Sequence, residues 1–324
     1  MQNILVTGAA GYVGSKVCYD LIDKNFKVLA IDDLSLGNRS ILPKKCIFIK
    51  VDISKLEELE RVFKKFKFTT VYHFAAKKSV DESQKYPLKY FKTNVMGTKN
   101  LLDLIIKYGV KNLIFSSTCA VYGETLNHEV SEKNLLVPKS YYGYTKFLCE
   151  KTIIQYQKKY NFNYAILRYF NVVGADHKLR TGEIDSDSLF KNIIVSIKTG
   201  KAFNLYGDNY NTKDGTCIRD YIDINDLSEL HLLALNKIKK LKKSIIFNCG
   251  YNKPRSVSDI VQNFEKILKF KIPIKLKKKR KGDVEEIYSN NKVQNNLFPN
   301  WRPKFNLSDS IKLSLRWEKV NFLK

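Results

Sequence analysis

The sequence lacks a long hydrophobic run. None of its apolar segments approaches the roughly 20 consecutive residues that cross a bilayer as a helix. The chain begins MQNILVTG, without the basic and apolar regions of a secretory signal. These two absences argue against an integral membrane protein and against an exported one. We therefore expect a soluble, cytoplasmic protein with no membrane partner.

Closely spaced cysteines are also missing. The six cysteines lie at positions 18, 46, 119, 149, 217 and 249, and no two have the C-x-x-C spacing of zinc and redox sites. Their neighbours are mostly apolar, so we expect buried, reduced thiols, as in a reducing compartment. No metal site is expected.

Acidic residues are scarce relative to basic ones. The chain has 32 Asp and Glu against 57 Lys and Arg, which gives a net charge of +25. Lysine runs such as 237–243 and 275–281 could attract nucleic acid or an anionic surface. However, there is no nucleic-acid-binding motif and no aromatic-basic interleaving. We interpret the charge as a solvated lysine surface, with attraction of an anionic substrate as the alternative, and expect no nucleic-acid partner.

The first half of the chain alternates between short apolar segments and segments of helical period. The pattern predicts strands at 4–7, 27–31, 47–51, 71–74, 113–117 and 164–169, and helices at 11–24, 56–66, 88–108 and 142–160. Continuous apolar strands joined by helices are typical of an α/β fold with a parallel, doubly wound sheet. Right-handed crossovers bring the loops after the strands to one edge, where such sheets bind ligands.

The composition changes after Asn171. Pro, Asp, Gly and Asn become common, and the segments become shorter and less periodic. We predict a larger α/β domain at 1–175 and a smaller mixed α/β lobe at 176–324. The segment 244–249 is predicted as a strand, so the chain should return to the larger domain around 217–250.

A glycine-rich turn follows the first predicted strand. In TGAAGYVGS, the glycines at 8, 11 and 14 permit a tight turn and close approach to a pyrophosphate, which the following helix N-terminus also favours. Asp32 ends the second strand, where a carboxylate accepts hydrogen bonds from both adenosine ribose hydroxyls and repels a 2′-phosphate. This pattern predicts NAD rather than NADP, although Asp32 could instead be a turn or cap residue. Asp52 closes the third strand and is placed to reach the adenine.

Tyr142 and Lys146 begin a predicted helix and share one of its faces. A phenol is a poor base at neutral pH because its pKa is near 10. A nearby ammonium and the positive charge of an oxidised nicotinamide would favour the phenolate. Thr118 ends the preceding strand and could bond the oxygen that is being oxidised. Together the three residues predict a dehydrogenase-type catalytic triad, whereas the Tyr-x-x-x-Lys spacing alone could be a surface pair.

Several stretches resemble a known family over essentially the full length: TGAAGYVGS, IDDLSLGN, HFAAKKSVDES, FSSTCAVYGE, YYGYTK, LRYFNVVGA, LYGDNYNTKDGTCIRDYI and FNCGYNKPRSV. The chain resembles the extended short-chain dehydrogenase/reductase family, and within it the UDP-glucose 4-epimerases. The resemblance implies a Rossmann-type doubly wound parallel sheet with a smaller mixed α/β C-terminal substrate lobe. It also implies an isomerase that uses NAD.

The resemblance assigns roles position by position. It implies that NAD contacts Gly8, Gly11, Tyr12, Val13, Gly14, Asp32, Asp33, Leu34, Ser35, Gly37, Asp52, Ile53, Phe74, Ala75, Ala76, Lys78, Asn94, Ser116, Tyr142, Lys146 and Phe170. A UDP-sugar would contact Asn171 and Arg219 at the diphosphate, Asn204, Leu205 and Tyr206 at the uracil, Arg280 and Asp283 at the phosphate and uridine ribose, and Lys78, Thr118, Tyr142, Ser188, Leu189 and Ile287 elsewhere.

The implied reaction interconverts UDP-glucose and UDP-galactose. Tyr142 removes the proton of the sugar 4-hydroxyl, carbon 4 is oxidised to a ketone, and the sugar rotates about its link to the diphosphate. Reduction on the opposite face then inverts carbon 4, and NAD stays bound throughout. Relatives pair through two helices, here 88–108 and 142–160, so a homodimer is expected.

Some positions depart from the family pattern. Ser188 stands where Asn or His is usual, and the loop 176–188 is short. Ile287 is intermediate between the tyrosine that goes with plain hexoses and smaller residues that admit N-acetyl sugars. UDP-N-acetylglucosamine/UDP-N-acetylgalactosamine, uronates and pentoses therefore remain alternative substrates. A nucleotide-sugar 4,6-dehydratase is disfavoured, because Cys119-Ala120 replaces the Asp-Glu pair that follows the threonine in that family.

Overall fold

The structure is a computed structural model that describes residues 3–125, 127–184, 187–280 and 283–320. Within these ranges, no helix has the length and apolar character that crossing a membrane requires. All six cysteines are free thiols, four of them buried.

Strands and helices alternate along the first part of the chain. In order they are β1 Asn3–Thr7, α1 Tyr12–Asp23, β2 Lys27–Asp32, β3 Ile47–Lys50, α2 Leu56–Lys65, β4 Thr70–His73, α3 Val80–Lys85, α4 Pro87–Tyr90, α5 Gly97–Lys107, β5 Asn112–Thr118, β6 Glu129–Val130, α6 Tyr141–Lys159, β7 Asn163–Tyr169 and β8 Asn171–Val173. The six predicted strands are present, each within a residue of its predicted bounds. Their short apolar runs are long enough to cross one buried sheet.

The remaining elements are shorter and more mixed. They are α7 Leu189–Thr199, β9 Phe203–Tyr206, β10 Ile218–Asp223, α8 Ile224–Leu241, β11 Ile245–Cys249, β12 Pro254–Ser256, α9 Val257–Leu268, β13 Ile274–Lys277, β14 Glu286–Ser289, α10 Lys292–Leu297 and α11 Leu307–Trp317.

One seven-stranded parallel sheet organises the molecule, in the order β11-β7-β5-β4-β1-β2-β3. The order reverses direction at β1 and β4, and ligands bind at such a switch point in doubly wound sheets. Along β1, Ile4 and Val6 join the core on one face, whereas Leu5 joins the core on the other. The sheet is therefore covered on both faces, as the sequence predicts.

A smaller part of the chain holds a second sheet in the order β12-β10-β14-β6, with β8 paired to β10, and a separate β9-β13 pair. Its own core lies between α7, α9, α11 and β9 and β10. A fourth cluster joins the two parts, because Val121 and Tyr122 pack with Phe170 and Ile287.

The prediction of one α-helix at 88–108 is wrong in its middle. The segment Phe91–Met96 between α4 and α5 is π-helical. Its wider turn holds the buried side chain of Asn94, which bonds the backbone of Lys77 (N–H to Oδ1, 2.8 Å; Nδ2 to C=O, 3.0 Å) and donates to Thr145 Oγ1 (3.0 Å). Apolar periodicity reports the buried face of a helix and does not reveal such a local widening.

Candidate active site

Two adjoining clefts lie along the carboxyl edge of the main sheet. The larger, of about 440 Å³, is lined by residues at or just after the ends of β1–β5 and β7. The smaller, of about 300 Å³, lies between this edge and the second lobe. Five residues line both clefts: Lys78, Cys119, Asn171, Asp187 and Ser188. The clefts therefore meet beside Thr118, the predicted catalytic threonine.

The glycine turn is built to bring backbone close to a ligand. Gly8 has φ +66°, and a Cβ there would lie 2.4 Å from the backbone nitrogen of Ala75. A Cβ on Gly14 would lie 2.2 Å from the carbonyl oxygen of Gly8. Helix α1 begins after Gly11 with no side-chain cap and no acidic residue in its first turn. Its first N–H groups can therefore bind an anion such as the pyrophosphate of NAD.

Asp32 closes β2 at the wall of the larger cleft. Its carboxylate accepts hydrogen bonds from the N–H groups of Ala10 (3.0 Å) and Leu34 (2.8 Å), which fix its orientation. Burial raises the pKa of Asp32, although those two bonds oppose the rise. Each oxygen keeps lone-pair capacity for a ribose hydroxyl. The residues around this cleft fit NAD.

Most predicted cofactor residues line the larger cleft; Leu34 and Asn94 do not. Leu34 has φ +60°, and its side chain packs against the core while its N–H bonds Asp32. Asn94 lies behind the cleft wall, where it holds the backbone of Lys77. These two residues support the wall.

The three predicted catalytic residues come together in the larger cleft. The Thr118 hydroxyl hydrogen-bonds the Tyr142 phenol and thereby lowers its pKa, but burial has the larger effect and raises that pKa. The backbone N–H of Tyr142 donates to Ser83 Oγ (3.0 Å), which fixes the start of α6. In the protein alone the phenol is therefore neutral, and forming the phenolate requires added positive charge.

Lys146 lies one helical turn beyond Tyr142 and is 2% exposed. Its Nζ lies 4.4 Å from the centre of the Phe115 ring. Burial lowers the pKa of Lys146 to about 8, against smaller opposing effects of Cys149 and Glu150. The lysine is therefore held near the pH at which it loses its charge.

Replacing Lys146 with methionine should abolish turnover and stabilise the cofactor-free protein. A folded-state pKa of about 8 instead of 10.5 means that the unfolded chain binds more protons between these values. The buried lysine therefore lowers the free energy of unfolding of the parent protein by its full amount below pH 8. This effect fades as the pH rises through 10.5. We expect Lys146→Met to raise the free energy of unfolding by about 3 kcal/mol at pH 7 and by less at pH 10.

Urea denaturation at the two pH values measures this difference. Lys151→Met, at an exposed position of the same helix, is the control for replacing a lysine with methionine. An unfolding free energy at pH 7 no higher than that of the parent protein would contradict the argument.

The predicted substrate residues line the smaller cleft, except Thr118 and Tyr142, which line the larger one. Arg219 donates to the carbonyl oxygens of Ile218 (2.8 Å) and Glu285 (3.2 Å) and to that of Val284. A guanidinium has five N–H donors, so donors remain for a phosphate. The Arg280 guanidinium lies 4.7 Å over the Tyr206 ring and 3.3 Å from Asp283. These residues make part of the cleft lining cationic and aromatic.

Another part of the lining of the smaller cleft is apolar. Ile287 is 3% exposed and packs in one cluster with Phe170 and Tyr122, which Cys119 also contacts. Ser188 caps α7 by accepting the N–H of Lys191 (3.2 Å), and its hydroxyl donates to Glu183 (2.5 Å). Ser188, which stands where the family usually has Asn or His, is thus hydrogen-bonded to Glu183 in the preceding loop.

Sequence reasoning missed three charged residues of the larger cleft: Lys77, Glu183 and Asp187. Lys77 Nζ donates to Ser35 Oγ (3.1 Å), in the turn beside Asp32. The resemblance assigns only Lys78 to the cofactor, and the sequence offers no signal that its neighbour Lys77 lines the cleft as well. Glu183 and Asp187 belong to a loop whose position depends on tertiary contacts.

Comparison with known proteins identifies the family of the chain. The sequence profile of the NAD dependent epimerase/dehydratase family matches residues 4–250. The chain belongs to this family. It is 36% identical to a UDP-glucose 4-epimerase from Halalkalibacterium halodurans, over 98% of this chain and 95% of that protein. It is also 36% identical to UDP-arabinose 4-epimerase 1 from Arabidopsis thaliana, over 99% of this chain and 80% of that protein.

A solved structure is similar as well. UDP-glucose 4-epimerase from Stenotrophomonas maltophila, with bound NAD and formylated UDP-arabinopyranose, superposes with a TM-score of 0.92 at 31% identity, covering 98% of each chain. The predicted Rossmann-type fold, the family and the assignment as an NAD-dependent isomerase are thereby confirmed.

Proposed function

We propose that the chain interconverts UDP-glucose and UDP-galactose by NAD-dependent 4-epimerisation. The observation that carries this proposal is the position of the triad. Thr118 and Tyr142 line the cofactor cleft, and Cys119, the residue after Thr118, lines both clefts. A sugar in the smaller cleft would therefore present its reacting carbon beside the phenol.

Each residue of the triad has a distinct task. Bound NAD supplies the oxidant for carbon 4 of the sugar and returns the same electrons afterwards. Tyr142 takes the proton of the 4-hydroxyl and later gives it back, since a phenol within hydrogen-bond reach can serve as base and acid. Thr118 holds the reacting oxygen. Lys146 would favour the phenolate together with the positive charge of the oxidised nicotinamide.

The mixed lining of the smaller cleft suits a sugar nucleotide whose sugar must rotate during the reaction. Arg219 and Arg280 would bind the UDP part firmly, because guanidinium groups match phosphate geometry. Ile287 and Phe170 give the sugar an apolar wall with few hydrogen bonds. A loosely held sugar can rotate and present its opposite face for reduction.

A second candidate substrate is a UDP-pentose, which the UDP-arabinose 4-epimerase relative favours. Initial rates with UDP-galactose, UDP-arabinopyranose and UDP-N-acetylgalactosamine, without added NAD, decide between these possibilities. The proposal expects UDP-galactose to give the highest kcat/KM. A preference for the pentose would move the assignment to that branch, and turnover of none of the three would contradict 4-epimerisation.

Replacing Ile287 with alanine should widen substrate choice. The side chain forms the apolar wall of the smaller cleft, so its removal makes room for an N-acetyl group. We expect the ratio of kcat/KM for UDP-N-acetylgalactosamine to that for UDP-galactose to rise about tenfold. Val121→Ala is the matched control, since Val121 packs in the same cluster but lines neither cleft. An unchanged ratio would show that Ile287 does not limit the sugar's 2-substituent.

We also infer a homodimer. Large apolar side chains are exposed at Leu88 (81%), Phe91 and Met96, along α4 and the π-helical segment, and Tyr144 is exposed on α6. Such a surface favours association with a second copy. We expect Leu88→Glu to convert the dimer to a monomer by light scattering. Leu135→Glu, which alters an equally exposed leucine that is not part of these helices, should leave it unchanged; a monomeric parent protein would refute the dimer.

Two further assignments complete the proposal. We infer that residues 1–175, with the returning part of 217–250, hold NAD, and that 176–324 hold the UDP-sugar. A cytoplasmic location is proposed as well, supported by six free cysteines.

A further inference from the structure

The segment 174–182, here called the strap, leaves β8 and folds back on itself. Ala175 and Gly182 form an antiparallel bridge, and the N–H of Asp176 donates to the carbonyl of Thr181 (2.9 Å). Gly182, the last residue of the strap, and the following Glu183 and Ile184 line the larger cleft. It therefore joins the smaller lobe to the wall of the cofactor cleft.

The strap lies along one face of α1, the helix that begins at the glycine turn. The contacting positions follow helical spacing: Tyr12, Ser15, Lys16, Tyr19, Asp20 and Asp23. Near the start of the helix, Tyr12 donates to the carbonyl of Gly174 (2.6 Å), and the Ser15 and Thr181 hydroxyls lie 2.6 Å apart. The strap is therefore docked over the full length of α1.

Ion pairs dominate this docking. Asp176 is fully buried and receives Arg180 Nε (2.6 Å) and Lys16 Nζ (3.2 Å). Burial raises the pKa of Asp176, but the two cations outweigh that effect and lower the pKa to about 2. Arg180 also reaches Asp23 (2.8 Å) and stacks over the Tyr19 ring at 4.4 Å. We call these ion pairs the clip: Arg180 with Asp20 and Asp23 of α1, Lys16 of α1 with Asp176, and Arg180 with Asp176 within the strap.

We propose that the clip sets how long NAD remains bound. One wall of the cofactor cleft is the start of α1, and another is the end of the strap, so separation of these two walls would open the cleft for release of NAD. The clip joins these two walls outside the cleft. It contacts neither Asp32, which is predicted to bind the ribose of NAD, nor the catalytic triad. It therefore controls the release of NAD without taking part in the reaction. This inference rests on the proposed function, in which NAD stays bound between turnovers.

The test measures NAD release directly. Purified enzyme loaded with radiolabelled NAD is mixed with excess unlabelled NAD, and loss of label from the protein gives the release rate. Arg180→Gln removes the central cation of the clip, and Asp23→Asn removes one exposed partner of it. Arg255→Gln is the matched control, because it breaks an exposed i,i+4 pair with Asp259 far from the strap in sequence.

We expect Arg180→Gln to release NAD about tenfold faster and Asp23→Asn to give a smaller increase, since affinity changes appear mainly in dissociation rates. Arg255→Gln should match the parent protein, and kcat at saturating NAD should stay within about twofold. A release rate for Arg180→Gln equal to the parent's overturns the clip. If that variant does not fold, an unchanged rate for Asp23→Asn overturns it instead. Faster release in an enzyme that turns over no UDP-sugar would support the clip while refuting the proposed function.

Discussion

Tyr142→Phe is expected to lower epimerase turnover by about a thousandfold, because it removes the group that exchanges a proton with the sugar 4-hydroxyl. The ring remains, so the packing at the start of α6 should be preserved. The Thr118 hydroxyl loses its phenolic partner but still accepts the N–H of Ala120 (3.2 Å). The loss should therefore appear in kcat, with KM for UDP-galactose changed little.

Steady-state kinetics and the NAD content of the purified variant measure these effects together. Tyr144→Phe, two residues along the same helix and exposed, is the matched control and should retain full activity. Residual turnover within about tenfold of the parent protein would contradict the role of Tyr142 as the acid and base. Loss of bound NAD would instead show that the phenol mainly holds the cofactor.

Arg168→Met is expected to reduce the free energy of unfolding by about 3–5 kcal/mol, because it leaves a buried carboxylate without its cation. Glu150 and Arg168 are 1% and 3% exposed and form a two-point pair, Nε to Oε1 at 3.0 Å and Nη2 to Oε2 at 2.7 Å. Ser117 Oγ donates to the same carboxylate (2.5 Å), and Arg168 also donates to the Tyr122 hydroxyl (2.9 Å). The pair thus joins α6 to β7, and the Ser117 bond joins α6 to the end of β5, where Thr118 lies.

Urea denaturation of the parent protein and the variant gives the difference. Arg255→Gln should cost less than about 1 kcal/mol, because its pair is exposed and screened by solvent. The double variant Glu150→Leu/Arg168→Met should recover part of the loss, since it leaves no unpaired charge. A cost for Arg168→Met no larger than that for Arg255→Gln would show that the buried pair does not stabilise the fold.

The parts of the fold that the sequence predicts are those encoded locally. The strands of the main sheet are short apolar runs between turns, so their positions follow from the pattern alone. The glycine turn and Asp32 are recognisable because a close pyrophosphate and a ribose each require a particular residue at a particular strand end. The Tyr142–Lys146 spacing indicates a catalytic pair only because Thr118 lies at the end of the neighbouring strand.

The parts that the sequence does not predict depend on distant contacts. The π-helical turn accommodates Asn94, whose partners lie 17 and 51 residues away. The second sheet pairs β10 with β8 and β14, which are remote in sequence and short. Glu183 reaches the cofactor cleft because the strap docks on α1, through pairs such as Lys16 with Asp176. No local pattern contains these pairings.

The most direct test of the proposed reaction follows one hydrogen. UDP-galactose carrying deuterium on carbon 4 is incubated with the purified protein without added NAD, and the UDP-glucose formed is examined by mass spectrometry and NMR. If carbon 4 is oxidised and then reduced within one closed site, the deuterium remains on carbon 4 of the product. Product that carries solvent hydrogen at carbon 4, or the absence of product from protein shown to contain NAD, would contradict the account.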